Sequence, residues 1–115
     1  MLPSDAAPFV KTAFSACGAP EFVAALSATG ARHVIVCGIE AHVCVNQTTH
    51  DLLAHGYRVH LLTDCIASRD ALNREAALAK MFGSGALPAT TEMVLFELLR
   101  DAGHNQFKMI QRLIK

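Results

Sequence analysis

Apolar residues in this chain gather in short runs of two kinds, and the two kinds alternate. In "PEFVAALSATG" (20–30), Phe22, Val23 and Leu26 recur with the alanines at helical spacing. Proline opens that segment and Gly30 closes it, so it predicts a helix. "RHVIVCG" (32–38) is almost continuously apolar, the pattern of a strand buried on both faces. His42 to His55 returns to helical spacing, with Val45, Thr48, Thr49, Leu52 and Leu53 on one side and Gly56 as the stop. "YRVHLLTDC" (57–65) predicts the second strand. Ser68 or Asp70 can cap a helix that runs to about Phe82, ahead of Gly83 and Gly85. "ALPATT" (86–91) reads as a short third strand or extended segment. Thr90 or Thr91 starts a helix through Arg100, with Val94, Leu95, Leu98 and Leu99 on one face. After Gly103, "NQFKMIQRLIK" predicts a last amphipathic helix carrying Phe107, Ile110, Leu113 and Ile114 at helical spacing.

Strands that alternate with helices at this spacing imply βαβ units and a parallel sheet, hence an α/β fold. Three strands make only half of an ordinary doubly wound domain, and the first is left with an unpaired apolar edge. The expectation is one partial domain over 1–115, the C-terminal half of a larger fold. An open edge together with an amphipathic last helix predicts a homo-oligomer.

Composition narrows the class. At 115 residues, 52% hydrophobic and 17% charged, the chain has the make-up of one packed domain and not of a disordered segment. Ten basic and ten acidic residues cancel, and no Lys/Arg cluster stands out. That argues against nucleic acid or an anionic membrane as partner. No apolar run approaches the roughly 20 residues of a membrane helix, and the start lacks a signal-peptide pattern, so a cytoplasmic location is expected. The four cysteines Cys17, Cys37, Cys44 and Cys65 form no C-x-x-C pair, which predicts reduced thiols without a zinc ribbon. Cys37 and Cys65 end apolar runs, where cysteine commonly behaves as a small buried hydrophobe.

Cys44 stands apart. In a parallel α/β sheet, ligands collect beyond the carboxyl ends of the strands, where the following helices begin. Cys44 is expected in the first turn after "HVIVC", where exposed amides and the helix dipole favour a thiolate. Buried packing is the competing use of such a cysteine. A dinucleotide site is excluded because "GIEAHVC" offers one glycine where G-x-G-x-x-G needs three. His42, Cys44 and His50 match no specific metal-ligand spacing.

"VIVCGIEAHVCVNQTTHDLLAHGYRVHLLTDCIASR" (34–69) resembles the nucleophile region of the isochorismatase-like cysteine hydrolases, a superfamily that includes nicotinamidases, N-carbamoylsarcosine amidohydrolase and isochorismatase. "KTAFSA" (11–16) resembles the family's lysine motif, and "HNQFKMIQRLIK" the tail of the isochorismatase domain-containing proteins. The resemblance implies a three-layer α/β/α fold with a parallel sheet. It implies hydrolysis of a small amide or related carbonyl compound through a thioester on Cys44, with Lys11 as the catalytic lysine. It also implies a non-proline cis peptide at Ile39–Glu40, and an oxyanion hole built from the backbone amides of Glu40 and Cys44. Pre-aimed amides of that kind stabilise a tetrahedral intermediate by about 3–4 kcal/mol each. The family's general-base aspartate lies upstream of the lysine and matches none of Asp5, Asp51 or Asp64. The metal ligands of nicotinamidases are unmatched as well, so no metal and no cofactor are expected. The implied substrate is a small molecule, and the implied turnover of this chain alone is impaired. A non-catalytic oligomerising module and a thiol redox role at Cys44 are the alternatives.

Overall fold

The computed structural model describes residues 2–115. Three strands, β1 (His33–Gly38), β2 (Arg58–Ile66) and β3 (Leu87–Ala89), form one sheet in the order β1-β2-β3, and both pairings are parallel. Five α-helices accompany them: α1 (Pro20–Ala28), α2 (Asn46–Ala54), α3 (Ala71–Gly83), α4 (Thr91–Leu99) and α5 (Phe107–Leu113).

Alternation along the strands sorts the helices into layers. Val34 and Val36 of β1 stand opposite Val59 and Leu61 of β2, and this face packs against α2 and α3. Val59, Leu61, Leu52 and Met81 there are 0–1% exposed, and Val45, Ile66 and Ala77 complete the core. The opposite face carries His33, Ile35 and His60 beside Val94 and Leu98 of α4, around a depression of about 330 Å³. His33 and His60 stack there, with Nδ1 and Nε2 2.9 Å apart. Helices on both faces of a parallel sheet make this the three-layer α/β arrangement.

The helix starts follow from side-chain caps. Asp70 accepts the Asn73 N–H at 3.0 Å and opens α3, whereas Ser68 turns away to His42. Thr90 accepts the Met93 N–H and opens α4, whose Thr91 N–H is in turn held by both oxygens of Asp64 at 3.0 Å.

Two expectations need correction. The first strand is not buried on both faces: none of its six residues is buried, and Ile35 is 46% exposed. Its apolar letters are those of a central strand, but β1 is the sheet edge, so one flank has no neighbour. Cys37 and Cys65, expected as small buried hydrophobes, are both exposed. The last helix leaves part of its apolar stripe open. Leu113 is 70% exposed, and Phe107 packs at 6.2 Å between ring centres on Phe96 of α4. α5 has no buried residue.

Candidate active site

Beyond β1 the chain must leave the sheet and begin a helix within a few residues. Gly38 makes the turn at φ +120°, a conformation closed to most side chains, and its carbonyl accepts the Ala67 N–H at 3.2 Å. The next peptide bond but one, Ile39–Glu40, is cis. Ala41 N–H then donates to Ala67 at 2.9 Å, so residues 38–41 are stitched to the segment that follows β2.

The helix predicted from His42 starts differently. Ala41–Val45 form a widened π turn, and regular α-helix begins only at Asn46. The Glu40 carbonyl accepts both the Val43 N–H (3.1 Å) and the Val45 N–H (3.2 Å), which bracket Cys44. Ala41 and Val45 point into the core at 0% and 4% exposure, and Cys44 between them is half-buried. Cys44 thus sits in the first turn of the helical run after β1, as expected, but that turn is a π turn ahead of the regular α2.

Lys11 reaches this sulfur from 33 residues away in sequence. Its Nζ donates to the carbonyls of Ala13 (2.9 Å) and Phe14 (2.8 Å) and lies 3.9 Å from Cys44 Sγ. Three protons of one ammonium therefore meet two carbonyl oxygens and one sulfur. The segment is held in place where the Ala16 N–H donates to Thr48 Oγ1 of α2 at 2.8 Å. Among the described residues, the Cys44 sulfur has no hydrogen bond to a carboxylate.

The Glu40 side chain belongs to a cluster that the sequence reading missed. Its Oε2 accepts the Arg69 backbone N–H at 3.2 Å, with Arg69 Nε at 3.5 Å and His42 Nδ1 at 3.7 Å. His42 Nδ1 in turn lies 2.9 Å from Ser68 Oγ. The signal available was "IASR" directly after the second strand, where only a cap was sought.

The remaining titratable groups near the strand ends are otherwise engaged. Asp64 is held below the usual carboxylate range chiefly by the Thr91 backbone N–H. Burial pushes the Cys17 thiol up, a hydrogen bond from Ser15 opposes this, and the charge of Asp51 adds to the rise. His50 spends both ring nitrogens, on the Asn46 carbonyl and on Ser84 Oγ. Among the described residues, no three His, Cys, Asp or Glu side chains gather as a metal site, and no helix is long and apolar enough to cross a membrane.

The sequence model of the isochorismatase domain matches residues 2–93. The chain belongs to the isochorismatase-domain family. Among curated relatives, the isochorismatase domain-containing protein 1 of Salmo salar is 44% identical over 108 residues, covering 93% of this chain and 38% of its own length. The solved MAR1 ribonuclease of Caenorhabditis elegans superposes with a TM-score of 0.82 at 40% identity, over 90% of this chain and 53% of that one. The YcaC protein of Escherichia coli, described as an octameric hydrolase of unknown specificity, gives 0.77 at 29% identity, over 81% and 46%. This isochorismatase-family chain therefore spans about two fifths to a half of the length of these relatives, and it shares their hydrolase fold.

Proposed function

We propose that this chain carries the nucleophile of an isochorismatase-family cysteine hydrolase acting on a small amide or related carbonyl compound. The observation that carries the reading is the 3.9 Å approach of Lys11 Nζ to Cys44 Sγ, in a turn beyond the carboxyl end of a parallel strand. Lys11 meets negative charge on the sulfur. Cys44 Sγ forms a bond to the carbonyl carbon, and the carbonyl electron pair moves to oxygen, where the Glu40 and Cys44 amides receive it. Collapse expels the amine with the proton that left the thiol, and water then cleaves the thioester to a carboxylic acid and restores the thiol. No carboxylate touches Cys44 among the described residues, so those proton transfers fall to solvent. Acylation is expected to outrun turnover in this chain.

The test is acetylation by p-nitrophenyl acetate, followed by mass spectrometry and by nitrophenol release. One acetyl group on Cys44, a stoichiometric burst lost in Cys44→Ala, and little hydrolysis of primary amides are expected. First acetylation at Cys37 or Cys65, or a burst that survives Cys44→Ala, overturns the reading.

A homo-oligomer is part of the same proposal. The exposed edge of β1 supports it, as does the octameric relative. A non-catalytic oligomerising module is the second reading, favoured by the same open edge, and an unreactive Cys44 would select it.

A further inference from the structure

We infer that the Glu40 carboxylate is a positioning group, which fixes the turn bearing Cys44 by anchoring it to the segment after β2; the inference rests on the hydrolase reading of Cys44 above. Glu40 is held at one end and holds at the other. Its carboxylate accepts the Arg69 N–H, while its carbonyl takes the N–H groups of Val43 and Val45 on either side of Cys44. The Glu40 side chain is only 23% exposed, and the His42 side chain beside it 21%. His42 leans on Ser68, the residue next to Arg69, so the two segments meet through a pair of side-chain contacts besides the two backbone bonds at Ala67.

Magnitudes decide which of these contacts acts. The Arg69 side chain is 84% exposed, and an ion pair this open contributes little. The hydrogen bond to the Arg69 backbone N–H is different, because it ties the Glu40 side chain to the main chain after β2. Reach therefore matters at position 40, and charge does not. Glutamine keeps the reach and loses the charge. Aspartate keeps the charge and falls one methylene short.

Alkylation of the folded full chain by iodoacetamide, mapped by mass spectrometry, reads this directly, with the exposed Cys37 and Cys65 as internal references. Glu40→Gln should label Cys44 within about twofold of the unmodified chain, the size expected for an exposed ion pair. Glu40→Asp should slow Cys44 about tenfold or more, since a misplacement near 1 Å costs on that scale, while Cys37 and Cys65 keep their rates. The reverse order assigns the effect to charge and overturns the inference. So does equal slowing in both variants, or no slowing in either. The hydrolase reading fails separately: if p-nitrophenyl acetate leaves Cys44 unacetylated while Glu40→Asp still slows alkylation, the positioning role stands without the chemistry.

Discussion

Residues 33–36 of β1 and 58–61 of β2 pair one to one in a single parallel ladder; the first are His33, Val34, Ile35 and Val36, the second Arg58, Val59, His60 and Leu61. Their fates differ. Val59 and Leu61 are fully enclosed, whereas β1 has no buried residue and shows 46% of Ile35. β2 has a strand on each flank and α2 and α3 over one face. β1 has a strand on one flank only. Apolar character states what a strand can bury, and the count of neighbours states what it does bury.

The sharpest way to break the comparison is truncation of one apolar side chain on each strand. Leu61→Ala opens a void in the core and should cost about 2–5 kcal/mol of unfolding free energy in urea. Ile35→Ala, on the open strand, should cost under about 1 kcal/mol, as partly exposed positions do. Equal costs would mean that β1 is covered in solution by something that also stabilises the fold.

That outcome leads to the next experiment. Ile35→Lys places a charge on the open strand, a feature that blocks pairing between strand edges. Light scattering at micromolar concentration should show a smaller assembly than the unmodified chain forms, with little change in the urea midpoint. A unmodified chain that is already a clean monomer would remove β1 as an association surface.

The smallest effect concerns a group with no counterpart on β1. Asp64, on β2, has its pKa lowered by the Thr91 N–H, so the folded chain favours its ionised form. Its contribution is present above the ordinary carboxylate value and is lost as the pH falls through the lowered one. Asp64→Asn should flatten the acid limb of a stability–pH curve below about pH 4 and leave neutral pH nearly untouched. An unchanged acid limb would locate the titration elsewhere.

The order of elements was legible because periods of two and of 3.6 residues survive in a single sequence: the strands at 33–38, 58–66 and 87–89 all fall where the pattern places them. The unpaired edge of β1 followed from the strand count alone, since a run such as "HVIVC" is the same whether one or two strands flank it. The π turn was hidden. Apolar residues at Ala41 and Val45 face inward in either kind of turn, and the difference lies in which carbonyl the Val45 N–H selects. At the site, Cys44 could be singled out by its place after a strand, but Lys11 only by its motif, because no local rule links residues 33 apart. The Glu40–Arg69 contact spans 29 residues and a loop, with neither partner at a spacing that announces it.

Gly38 carries a consequence of another kind, one of handedness. A methyl group built there would meet no heavy atom within 4 Å, so bulk is not what reserves the position for glycine. The restriction lies in φ +120°, on the side of backbone space that L-residues avoid because their own Cβ crowds the adjoining peptide. An alanine at 38 would be tolerated by every neighbour and refused by its own chirality. The direction in which the chain departs from β1 toward Cys44 is therefore set by the one residue type that is identical to its mirror image.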